Sequence, residues 1–184
     1  MQISLQIKKI CSIAGRYNRE KGAYTPSSGR GAYVVKNMED IAKELTTILS
    51  LSNFGKLVTA VSKGQGNVPK VLWIAILPAG RTVGNSASVT ICFGRQGEGI
   101  VAGLMVSKSA GHLHLSPVLR LPEEIRINVD GDRPGTKYGN CFVNPKEWSI
   151  DELDDNEIVE HLLDSIKILT SQGIMSKTQS EKRT

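Results

Sequence analysis

At 184 residues and 40% hydrophobic content, the chain is long and apolar enough for one globular domain with a sizeable core. No apolar run approaches the roughly 18 residues that a membrane-spanning helix needs, and the charged, interrupted stretch Met1–Lys9 does not read as a signal peptide. The net charge of +5 is unevenly spread: residues 1–92 hold 12 Lys/Arg against 4 Asp/Glu (+8), and residues 93–184 hold 11 against 14 (−3), a bias that suits a polyanionic partner.

Ile3, Ile7, Ile10 and Ala14 recur at helical spacing and predict an amphipathic helix over residues 2–16. Residues 17–36, rich in Gly, Ser, Tyr and basic side chains without an apolar period, read as a long loop. Asn37 is the expected cap of a second helix, with Asp40 near its positive end and Ile41, Leu45, Ile48 and Leu49 as its buried stripe. From Leu57 the period changes, and Leu57–Ser62, Val71–Leu77, Ala87–Phe93 and Ile100–Val106 read as consecutive strands. Their connectors 63–70, 78–86 and 94–99 are rich in Gly, Pro, Asn or Ser.

Beyond an ambiguous stretch, 107–123, with an extended piece around His112–Leu115, two further strands are expected at Glu124–Val129 and Tyr138–Val143. Ile150–Thr170 predicts a helix with Ile158, Leu162, Leu163, Ile166 and Leu169 as its stripe. Asp151, Glu152, Asp154 and Asp155 suit its N-terminal turns. The expected fold is therefore α+β: a curved, mostly antiparallel or mixed sheet flanked by N-terminal helices and a C-terminal helix. Residues 1–171 form one domain and 172–184 a polar disordered tail or linker.

Catalytic and cofactor motifs fail one by one. Cys11, Cys92 and Cys141 are widely spaced and odd in number, the pattern of a reduced, cytoplasmic protein. The glycines of Ser62-Lys63-Gly64-Gln65-Gly66-Asn67 are one residue apart and a strand follows, so neither a P-loop nor a dinucleotide fingerprint fits. His112 and His114 share a strand face, but a zinc site needs further ligands and His161 lies on a distant helix. Asp130 and Asp132 lack the remaining acids of a calcium loop and read as a turn, and adjacent Glu123 and Glu124 point to opposite faces. No catalytic residue, metal or cofactor is expected. A hydrolase assembled from His112, His114 and Cys141 stays open as a rival, as does an RNA- or protein-binding module.

The glycine loop followed by Trp73-Ile74-Ala75 resembles the N-terminal DNA-recognition domain of McrB, the DNA-binding motor subunit of modification-dependent McrBC restriction systems. Thr82–Phe93, Lys137-Tyr138-Gly139-Asn140 and a closing amphipathic helix follow in the same order. The resemblance implies a non-catalytic domain that binds double-stranded DNA and recognises modified cytosine, with a base flipped into an aromatic pocket. A restriction effector on another domain or subunit would cut, and no membrane partner is implied. Lys63, Gln65, Asn67, Arg81, Thr82, Ser86 and Lys137 are the expected DNA contacts, with Lys21 and Arg30 adding backbone contacts from the basic loop. Trp73, Ser88, Cys92 and Tyr138 are the expected base pocket. This chain departs from the family pattern at Gln65, where a ring is common, and at Leu72, where a proline is usual.

Overall fold

In a computed structural model, residues 2–20, 24–27, 29–64, 69, 71–107, 125–130 and 138–171 are described, the side chains of 17–20 apart. Helix α1 spans Ile3–Glu20 and helix α2 spans Gly29–Ser50, so both reach into the stretch that composition reads as one loop over 17–36. The stripe explains the early start of α2. Gly31, Val34, Val35, Met38, Ile41, Ala42 and Leu45 are buried at three- and four-residue spacing, and the apolar period therefore begins at Gly31. Asn37 is not a cap. It is buried inside the helix, where its Nδ2 donates to the Tyr33 carbonyl at 2.7 Å, and Asp40 pairs with Lys36 at 2.6 Å.

Among the described residues five strands follow: β1 Leu57–Val61, β2 Trp73–Pro78, β3 Ala87–Phe93, β4 Gly99–Val106 and β5 Lys146–Ser149. They form one sheet in the order β1-β2-β3-β4-β5, antiparallel throughout, with β1 and β5 at its edges. The architecture is α+β, with α1, α2 and the C-terminal helix α3, Asp155–Ser171, packed on one face.

Neither of the two further expected strands forms among the described residues. Residues 125–129 are irregular because the Glu147 carboxylate takes the amides of Arg126 and Ile127 at 2.8 and 2.6 Å, in place of a neighbouring strand. Tyr138–Val143 is a short 3₁₀ turn at Gly139–Cys141 followed by a single bridge from Phe142 to Met105. At Asn144-Pro145 the ladder is interrupted, and the Asn144 side-chain carbonyl accepts the Leu104 amide at 2.6 Å. Pairing resumes in β5, whose four residues are too few and too polar to read as a strand. The C-terminal helix starts later than Ile150: Asp154 caps it, its carboxylate accepting the amides of Asn156 and Glu157 at 2.9 Å each.

Cross-strand partners share a face of the sheet. Ile74, Ile76, Val89, Ile91, Ile100, Ala102 and Leu104 face the helices and build the main core with Ile7, Ile10, Met38, Ile41, Leu162 and Ile166. The turn between β3 and β4 fits against α1 only because Gly97 has φ +76° and no side chain; a Cβ there would meet the Cys11 carbonyl. Trp73, Ala75, Ser88, Thr90, Cys92, Val101 and Met105 point the other way. There Cys92, Val101 and Met105 join Val129 and Phe142 in a second, smaller cluster.

Candidate nucleic-acid interface

The glycine loop begins where β1 ends. Ser62 is buried, and its hydroxyl accepts the Trp73 amide at 2.8 Å while its own amide donates to the Trp73 carbonyl at 3.0 Å. The serine of the motif thus fixes both ends of the connection 63–72. Gly64 follows with φ +74°, a conformation that L side chains rarely adopt, so the loop leaves β1 in a direction that glycine permits. Lys63 is more than half exposed and its Nζ lies 2.5 Å from the Glu39 carboxylate on α2. Gln65 and Asn67 lie outside the described residues, as do Lys21 and Lys137.

Trp73 opens β2 directly opposite Cys92 on β3. It is half-buried, whereas Trp148 is 3% exposed in the helix-side core. Tyr138 packs on the same cluster as Trp73 and Cys92, brought there by the turn at Gly139–Cys141. Ser88 shares the face two positions beyond Thr90, and the two hydroxyls bond each other at 2.9 Å. Three of the four expected pocket residues therefore meet in one cluster, and Ser88 sits farther along the same face. Thr90 was missed, although strand alternation between Ser88 and Cys92 places it there. Ser62, Asp130 and Phe142 were missed as well: no local motif signals that Asp130 reaches across to Tyr138.

The remaining expected contacts divide. Arg81, Thr82 and Ser86 follow Pro78, at the opposite end of β2 from Lys63. With about 3.3 Å per strand residue, the length of β2 separates the two groups by roughly 20 Å. Thr82 donates both its amide and its hydroxyl to Asn85 Oδ1, at 3.2 and 2.9 Å. Ser86 is buried and donates to the Ala87 carbonyl at 3.0 Å. Arg30 lies in the first turn of α2 rather than in a loop, its guanidinium 2.9 Å from the Tyr24 hydroxyl.

The Cys11 and Cys92 thiols are held protonated. Burial, then the Asp130 carboxylate and Cys141, push the Cys92 thiol far above its ordinary value. Burial, then Glu98, push Cys11 up to about 12. Neither forms a thiolate nucleophile at neutral pH. His161 Nε2 lies 3.1 Å from the carbonyls of both Ala102 and Asn144, and desolvation lowers its pKa. His112 and His114 lie outside the described residues. Among the described residues no group of three or more His, Cys, Asp or Glu is placed to hold a metal ion, and no helix is long and apolar enough to cross a membrane.

No protein-family model matches the chain, and no curated protein matches it.

Proposed function

We propose that this chain is a non-catalytic DNA-recognition domain that reads modified bases, modified cytosine first, in double-stranded DNA. Cleavage would belong to a restriction effector on another domain or subunit, in a cytoplasmic defence setting. One observation carries the reading: a half-buried tryptophan stands at the base of a basic glycine loop, on the sheet face away from the helices, opposite Cys92 and on the same apolar cluster as Tyr138. A base taken out of the stack needs a ring or apolar face to replace its lost stacking, and Trp73 and Tyr138 offer two rings. Lys63 at the loop entrance offers a phosphate contact.

The decisive experiment is a panel of otherwise identical duplexes carrying unmodified, methylated, hydroxymethylated, glucosylated and phosphorothioate sites, titrated at several salt concentrations. At least one modified duplex should bind more tightly, with affinity falling steeply as salt rises. Equal affinity for every duplex would overturn modification-specific recognition. Affinity insensitive to salt would overturn the phosphate contacts and favour the protein-binding alternative.

A further inference from the structure

Two connections end on the two rings of the proposed site, and both are closed by the same device. At one, the Ser62 hydroxyl accepts the amide of Trp73 at 2.8 Å. At the other, the Asp130 carboxylate accepts the amide of Tyr138 at 2.5 Å and that of Gly139 at 3.3 Å, while the Asp130 amide donates to Asn128 Oδ1 at 3.0 Å. Each acceptor is buried, Ser62 to 5% and Asp130 to 1% exposure. A buried carboxylate is costly unless hydrogen-bonded, so the Asp130 contacts are not incidental. The sequence between each pair is net basic: Lys63 and Lys70 precede Trp73, and Arg133 and Lys137, against Asp132, precede Tyr138. Both rings then pack on the cluster that contains Cys92.

We infer that Ser62 and Asp130 are positioning residues, each holding the backbone amide of the aromatic that ends a basic connection, so that Trp73 and Tyr138 stand against Cys92 as two walls of one site for a planar base. This rests on the DNA-recognition reading. It adds to it that base discrimination depends on two residues that touch no DNA. Phosphate contact, by contrast, is assigned to exposed cations such as Lys63. Removing either clamp frees a ring without removing a cation, so discrimination and salt dependence separate.

The test uses the full chain with the tightest modified duplex of the panel and its unmodified counterpart. Ser62→Ala and Asp130→Ala should each lower the preference for the modified duplex roughly tenfold, the scale of one lost buried hydrogen bond. Affinity for the unmodified duplex, and its salt slope, should stay as in the wild type. Asp130→Asn keeps an oxygen acceptor for the Tyr138 amide and should keep the preference, as should Ser62→Thr. Should Asp130→Ala fail to fold, as judged by thermal melting, the Ser62→Ala and Ser62→Thr pair carries the comparison. Folded Ala variants that retain the preference would overturn the positioning role. So would a proportional loss on both duplexes, which a purely structural role predicts. A wild-type chain with no preference and no salt dependence would instead overturn the underlying reading.

Discussion

The two faces of the sheet are built from the same strands and are almost equally buried, yet their chemistry differs. Toward the helices the central strands present Ile74, Ile76, Val89, Ile91, Phe93, Ile100 and Leu104, all apolar. Away from them they present Trp73, Ser88, Thr90, Cys92, Val101 and Met105, a set that includes two hydroxyls and a thiol. Burying hydroxyls weakens a core unless each finds a partner. Their presence on one face only sets the two sides apart: the helix side is an all-apolar core, and the proposed recognition site lies on the other.

Substitutions should separate the faces. The largest effect is expected from Ile91→Ala, which opens a cavity beneath the helices and should cost about 2–5 kcal/mol in denaturant unfolding. Folded Ile91→Ala protein should bind DNA as the wild type does; a binding loss at full folding would blur the division. On the other face, Trp73→Leu keeps apolar volume and removes the stacking surface. It should weaken binding of the preferred duplex by about 1–3 kcal/mol, read by anisotropy titration.

The hydroxyl pair tests the other face from within. Thr90→Val strands the buried Ser88 hydroxyl and should cost about 1–3 kcal/mol of stability, whereas the double change Ser88→Ala/Thr90→Val should cost less than the two single changes together. Strict additivity in that cycle would mean that the 2.9 Å contact contributes nothing.

The smallest effect concerns acid. Burial lowers the pKa of His161 from its ordinary 6.5, opposed by its two carbonyl contacts, with Lys146 lowering it and Asp164 raising it. The unfolded chain then binds more protons than the folded one, so stability falls as pH drops below about 6.5 and levels off beneath the folded value. His161→Gln should flatten that slope in melts between pH 7 and 5. Because His161 contacts Ala102, a helix-side residue, duplex selectivity should not follow the same curve.

Legibility in the sequence followed the strength of each period. β3 reads at its full length because Ala87–Phe93 is apolar or β-branched at every position but Ser88, and β2 and β4 shift by one or two residues at their ends. The start of α2 was hidden because Gly31 does not register as an apolar stripe position and Asn37 imitates a cap. β5 was hidden by its polarity, and Tyr138–Val143 was read as a strand because nothing local announces that Asn144-Pro145 interrupts the ladder. At the site, Trp73 and Cys92 were legible as strand residues, and Lys63 as a loop cation. The expected contacts grouped Lys63 with Arg81, although successive hairpin connections leave a sheet from opposite ends. Asp130 was legible only as a turn residue, because its partners Tyr138 and Gly139 come from a later segment.

Amide hydrogen exchange of the full chain, with and without the tightest modified duplex of the panel, tests the location of the interface most directly. Protection should rise at residues 62–64, 71–73, 91–95 and 138–141, the loop end of the proposed recognition face. Protection confined to residues 79–86 or to the outer surfaces of α1 and α3 would place the DNA elsewhere and contradict the account.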